Sequence, residues 1–193
     1  MKPLRFILAA ALALTGVTVA ASPEQREQAV HAFVTDMAEK HGFERKSLMQ
    51  VMNKARFRRD IIRVMQRPAE AKPWYQYRPI FVTQSRTRGG VQFWRDHKEL
   101  LERAERDFGV APEVIAAIIG VETRYGGNTG NYRVLDSLST LAFGYPKRAK
   151  FFRKELEEFL LLGREENIDI ATAKGSYAGA MGMPQFIPSS YRA

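Results

Sequence analysis

The sequence predicts a mainly α protein. Apolar residues recur at three- and four-residue spacing through most of the chain after residue 22, and capping residues, prolines and glycines bracket those runs. None of the 193 residues is cysteine, so disulfides are excluded and packed helices must supply the stability. With 45% hydrophobic and 26% charged residues, the chain can bury one compact core or two small ones.

Taken in order, Ser22-Pro23-Glu24 combines a capping serine, a proline for the first helical position and an early acid. Val30, Phe33, Val34, Met37 and Ala38 continue at helical spacing until Gly42 stops the helix. Leu48, Val51, Met52 and Ala55 mark a second, short helix; Ile61, Ile62, Val64 and Met65 mark a third, ended by Pro68. Lys72-Pro73-Trp74-Tyr75-Gln76-Tyr77-Arg78-Pro79 reads as an extended, rigid segment, since two prolines flank three aromatics. Such a segment offers aromatic faces to a sugar or clamps one subdomain on another. A long helix is expected over 91–108, with Trp94, Leu101, Ala104 and Phe108 on its inner face. Pro112 opens the next helix and Gly126-Gly127 close it. Val134, Leu135, Leu138 and Leu141 predict another. Pro146-Lys147-Arg148 starts a further one, burying Phe151, Phe152, Leu156, Phe159 and Leu160 and stopping at Gly163. Residues 174–188 are dense in glycine, small residues and proline, which allows close backbone approach to a ligand or a neighbouring element. Ser189-Ser190-Tyr191 restarts a helix that ends after one turn, as expected of a truncated chain.

The formal net charge of +9 and a pI near 9.9 suit a polyanionic partner: nucleic acid, an anionic membrane surface or an acidic cell-wall polymer. The first residues choose among them. Lys2 and Arg5 precede an apolar run over 6–14, and small residues follow over 15–22. This is the layout of a secretory signal peptide, residues 1–21, cut after Ala20 or Ala21. Export removes nucleic acid as the normal partner. A lipoprotein needs a cysteine at the cut, so lipid anchoring by that route is excluded. His31, His41 and His97 form no zinc motif, and phosphate loops, dinucleotide glycine motifs and serine-hydrolase elbows are absent.

The chemistry-bearing candidate is Glu122. Ile115, Ile118 and Ile119 lie seven, four and three positions before it, so all four share one helix face. A carboxyl beside a poorly hydrated stripe is expected to have a raised pKa, as a general acid for glycosidic cleavage requires. The plain alternative is a glutamate in the last helical turn that points to solvent. Glycosidases that use two carboxyls would need a partner from Asp107, Asp136 or Asp169, none of which lies in a suggestive motif.

Three stretches together resemble the lytic murein transglycosylase B family, bacterial enzymes that cleave peptidoglycan strands: Ile119-Gly120-Val121-Glu122-Thr123-Arg124-Tyr125-Gly126, Thr140-Leu141-Ala142-Phe143-Gly144-Tyr145-Pro146-Lys147-Arg148 and 175–186. The resemblance implies a lysozyme-like helical core over 73–193, incomplete at its C-terminus, with an N-terminal helical subdomain over 22–72. It implies Glu122 as the sole catalytic carboxyl and substrate roles for Ser176, Gln185 and Phe186. Tyr77, Lys147 and Arg148 match groove positions; Lys147 stands where many relatives carry arginine, so a single ammonium replaces a bidentate fork. Aspartates for the family's calcium loop are absent, so no metal or cofactor is expected. The chain resembles a soluble periplasmic form.

The activity so implied needs one carboxyl. Glu122 protonates the bridging oxygen, then takes a proton from the muramic acid primary hydroxyl as that hydroxyl closes a 1,6-anhydro ring. Tyr125 is read as packing. Two other readings stay open: a hydrolytic muramidase, and a non-catalytic peptidoglycan-binding fragment. The partner in all three is the glycan strand; proteins of cell-wall synthesis or turnover are further candidates.

Overall fold

The structure of the protein, a computed structural model, describes residues 21–67 and 72–193. The expected signal peptide, apart from Ala21, and the expected stop at Pro68 lie outside the described residues.

Helix α1 (Pro23–His41) begins as the sequence predicts. The Ser22 hydroxyl accepts from the Gln25 N–H, the Gln25 side chain accepts from the Ser22 N–H, and Gly42 ends the helix in the left-handed conformation. Helix α2 (Arg45–Met52) is capped by the Glu44 carboxylate, and α3 (Arg59–Met65) follows. Their apolar faces do not close on one another alone. Phe33, Val34, Met37, Leu48, Met52 and Ile61 join one core with α8 (Val134–Gly144) and α9 (Ala149–Glu165).

α8 is the central helix, buried along its whole length, with α9 on one side and α1 and α3 on another. Burial of Phe152, Leu156, Phe159 and Leu160 from α9 contributes about 1.5–3 kcal/mol per side chain relative to exposure. The polar groups of α8 pin the neighbouring chain. Asp136 accepts a two-pronged pair of bonds from Arg133 and one from the Arg56 N–H (2.8 Å), and the Thr140 hydroxyl accepts from the Arg58 N–H (3.0 Å).

Three expectations are corrected. Residues 74–81 are not extended: they form α4 (Trp74–Phe81), and only Pro73, at its N-cap, is extended. The first helical turn needs no N–H from Pro73; Pro79, at the sixth position, removes one helical hydrogen bond, yet the chain keeps two turns. The single helix expected over 91–108 is two, α5 (Gln84–Asp96) and α6 (Lys98–Phe108), broken at His97 (φ −120°, ψ 21°). No proline or glycine marks this break; the His97 ring stacks on Phe93 instead. The turn buries Phe93 and Leu101 and leaves Phe108 80% exposed, so the inner face differs from that expected. Finally, Gly163 is no helix stop. It lies buried inside α9, where a side chain would strike Ile170, and Phe151 faces outward.

α7 (Pro112–Thr123) packs against α5 and α6, to one side of the main core. The segment after α9 returns to pair as β2 (Lys174–Gly175) with β1 (Tyr132–Arg133), antiparallel, with Tyr132 opposite Gly175. α10 (Pro188–Arg192) ends the chain. The buried Glu155 carboxylate of α9 accepts from the Ser189 N–H and hydroxyl, and Arg192 pairs with Glu158 and Glu165.

Candidate active site

Glu122 sits one residue before the end of α7 and is exposed. Pro112 starts the helix as predicted, but the helix ends earlier than Gly126-Gly127. The left-handed turn is carried by Arg124 (φ 53°) and Tyr125 (φ 61°), before Gly126 (φ 87°). The isoleucine stripe does not shield the carboxyl as expected. Ile115 and Ile119 are half-buried, but Ile118, one turn back, is 50% exposed.

The residue after Glu122 ties it to the rest of the site. Thr123 is fully buried; its hydroxyl accepts from the Gly126 N–H (3.0 Å) and donates to the Met183 carbonyl (2.9 Å). The end of α7 is thus fastened to the glycine-rich loop over 174–188. A second tie comes from Gln185, whose side-chain amide donates to the carbonyls of Thr129 (3.0 Å) and Gly182 (3.1 Å). The loop itself is folded by short antiparallel bridges, Gly175 to Met181 and Met181 to Phe186. Its glycines make the close approaches the sequence suggests: a side chain at Gly175 would meet the Ala180 carbonyl, and one at Gly179 would meet Leu138.

Ser176 accepts from the N–H groups of Ala178 (3.3 Å) and Ala180 (3.0 Å), which organises this loop and leaves its hydroxyl proton free to donate. Phe186 is exposed, its ring edge-on to Tyr191, whose hydroxyl donates to the Met181 carbonyl. Burial pushes the Tyr191 phenol up. Ser176, Gln185 and Phe186 therefore share one loop bound to the helix of Glu122.

The other three predicted positions lie outside this set of contacts. Tyr77 stands on α4 and its ring packs on Phe81 (4.8 Å); a cavity of about 360 Å³ is lined by residues from Ile80 and Thr83 to Arg124 and Tyr125, without Tyr77. Lys147 and Arg148 are exposed on a short 3-10 turn (Pro146–Arg148) between α8 and α9. With Lys150, Phe151 and Lys154 they line a cationic groove of about 480 Å³. Arg148 covers the Phe151 ring at 4.3 Å, which explains why that phenylalanine faces outward.

No second carboxyl joins Glu122 from the three candidates. Asp136 is consumed by Arg133 and Arg56, Asp107 lies exposed on α6, and Asp169 caps the turn at Ala171 and Thr172. The Thr172 hydroxyl and the Ala171 N–H hold the Asp169 carboxyl below its usual range. Among the described residues, no group of three or more His, Asp or Glu side chains is arranged to hold a metal ion.

The chain as a whole has relatives among known proteins. Residues 25–193 match the transglycosylase SLT domain family. The chain belongs to that family. It is 44% identical over 170 residues to membrane-bound lytic murein transglycosylase B of Escherichia coli (strain K12), covering 83% of this chain and 47% of that protein. Its fold is similar to the soluble lytic transglycosylase SltB1 of Pseudomonas aeruginosa, with a TM-score of 0.82 and 53% identity over 85% of this chain and 56% of that one. SltB3 of Pseudomonas aeruginosa, solved in complex with NAG-NAM-pentapeptide, is similar at a TM-score of 0.75 and 25% identity, over 88% of this chain and 45% of that one. The chain spans about half the length of the relatives it matches. The mainly α, lysozyme-like fold expected from the sequence is the fold of this family.

Within this transglycosylase SLT domain, three residues that hold the site together escaped sequence reasoning: Thr123, Arg86 and Met183. Arg86 donates to the Gly120 carbonyl of α7. Nothing in its local sequence signals this, because the partner lies on another helix. Thr123 was readable in principle, as a hydroxyl in the last turn of an apolar helix is placed to bond backbone.

Proposed function

We propose that the chain is a peptidoglycan lytic transglycosylase in which Glu122 is the single catalytic carboxyl. The observation that carries this reading is the placement of Glu122: its neighbour Thr123 is fastened to the glycine-rich loop, while Asp107, Asp136 and Asp169 are engaged or exposed elsewhere. With none of these three placed to activate water, intramolecular attack is the economical route. Glu122 gives its proton to the bridging oxygen as the bond from the muramic acid anomeric carbon breaks. The primary hydroxyl of the same sugar bonds to that carbon, and its proton returns to Glu122. The products are a free glycan hydroxyl and a 1,6-anhydromuramic acid end, and no water is consumed.

Ser176, Gln185 and Phe186 act as the substrate loop; Tyr77, Lys147 and Arg148 extend the groove, the last two through charge that suits peptidoglycan carboxylates. Residues 73–193 form the transglycosylase core and 22–72 an added subdomain sharing its hydrophobic core. The chain works in the periplasm after loss of a signal peptide over 1–21. Among the described residues no helix is long and apolar enough to cross a membrane.

Glu122→Gln removes the proton while keeping the shape. It is expected to lower cleavage of purified glycan strands at least about a hundredfold with strand binding retained. Mass spectrometry of wild-type products identifies the chemistry: anhydro ends support ring closure, whereas ends heavier by one water indicate a muramidase. Strand binding without turnover by the wild type would favour a wall-binding role.

A further inference from the structure

Three features around Glu122 have no use in the chemistry of bond cleavage. Two consecutive residues with side chains, Arg124 and Tyr125, occupy the left-handed region immediately after the helix. This conformation is uncommon for any non-glycine residue and an outlier for one as bulky as tyrosine. Glycines also interrupt two helices: Gly89 and Gly90 within α5, and Gly120 within α7, each weakening its helix relative to alanine. Lastly, Arg86 donates to the carbonyl of Gly120 across the two helices.

One side chain, Tyr125, accounts for the turn and the glycines, and its hydroxyl bonds the backbone of Arg86. The Tyr125 ring lies in a socket made by the missing side chains of the three glycines. A Cβ at Gly89 would fall 3.0 Å from the ring, one at Gly90 2.6 Å from its hydroxyl, and one at Gly120 2.5 Å from that hydroxyl. The hydroxyl donates to the Arg86 carbonyl (3.0 Å), and the ring packs on Phe93 at 5.5 Å. So the residue three positions after Glu122 is bolted to α5, and the strained turn between them has little freedom left. The same turn presents the Gly126 N–H to Thr123, which links Glu122 to the substrate loop.

We propose that Tyr125 is a positioning residue for Glu122: seated in the Gly89–Gly90–Gly120 socket, it holds the last turn of α7 so that the carboxyl stays aimed at the bond to be cut. The proposal rests on the reading of Glu122 as the catalytic acid. Tyr125 does not belong to the core cluster around α8 and α9, so its loss leaves the bulk of the fold in place.

The test uses steady-state cleavage of purified glycan strands together with amide hydrogen exchange. Tyr125→Ala should lower kcat about a hundredfold with KM within about twofold, the pattern of a misplaced catalytic group. Tyr125→Phe keeps the ring and loses one hydrogen bond, so kcat should fall only about fivefold. Gly90→Ala drives a methyl into the tyrosine hydroxyl and should cost about tenfold in kcat. In the Tyr125→Phe background that hydroxyl is gone, and Gly90→Ala should cost less than about threefold. In Tyr125→Ala, exchange at Gly126 and Asn128 should quicken at least about tenfold while α8 and α9 stay protected. An unchanged kcat in Tyr125→Ala, a rise confined to KM, or no relief in the double variant would overturn the proposal. If the wild-type chain cleaves no glycan, the reading of Glu122 fails, and the exchange data alone decide whether Tyr125 holds the turn.

Discussion

Ser176 shows how a single residue is judged by its bonds. Its oxygen accepts two backbone N–H groups within the glycine-rich loop, so its first role is to fold that loop. Ser176→Ala is expected to cost about 1 kcal/mol. In a domain of this size that lowers Tm by about 2–4 °C in a thermal melt. Because the hydroxyl proton is free, kcat should fall alongside; a mutant with full stability and lost turnover would assign the hydroxyl to substrate alone. That Glu122 stands in the last turn of an apolar helix was legible in the sequence. Its exposure was not legible: neighbours in space, not the stripe on its own helix, set how much water reaches a carboxyl.

At the scale of elements, punctuation was read well where it acts locally and poorly where it acts across the fold. Ser22, Gly42 and Pro112 bound their helices as expected, because caps are satisfied by backbone within a few residues. Gly163 misled, since a glycine inside a helix can serve a neighbour rather than end the helix. That difference gives a prediction. Gly163→Ala should gain helix propensity in isolation, yet destabilise the protein by about 1–3 kcal/mol, because the added methyl meets Ile170 in a packed interior. Denaturant unfolding checks it; an unchanged or raised midpoint would show that the segment at Ile170 yields. The break at His97 and the helix over 74–81 were missed for a related reason, as each is decided by aromatic packing or by where a proline falls within a turn.

For the whole molecule, charge couples fold to pH. Among the described residues, five carboxyls are held below their ordinary values, 4.5 for Glu and 3.8 for Asp: Asp60 by Arg58, Glu165 by Arg192, Glu24 by the Ser22 hydroxyl, Glu44 by Ser47 and Asp169 by Thr172. A folded value below the unfolded one gives stability that is complete above the unfolded value. It is lost as pH falls through the folded one. Tm should therefore be flat above about pH 5 and fall progressively below it, as protonation also strips charge that offsets a formal +9. Melts between about pH 3 and 7 test this window, and a Tm that rises on acidification would contradict it. Four of these groups are exposed and Asp60 is partly so, so added salt should flatten the profile.

The sequence by itself determined the helical class, the starts of α1 and α7, most of the buried faces of α1, α8 and α9, and the position of Glu122 on α7. Each follows from periodicity or from a cap that closes within a few residues, and such local rules need no knowledge of the fold. The tertiary structure alone decided that α1–α3 share their core with α8, that Thr123 and Gln185 fasten two distant segments into one site, and that three helix glycines form a socket for Tyr125. Those depend on surfaces brought together from far apart in the chain, where shape and unpaired backbone groups on one segment choose their partners on another.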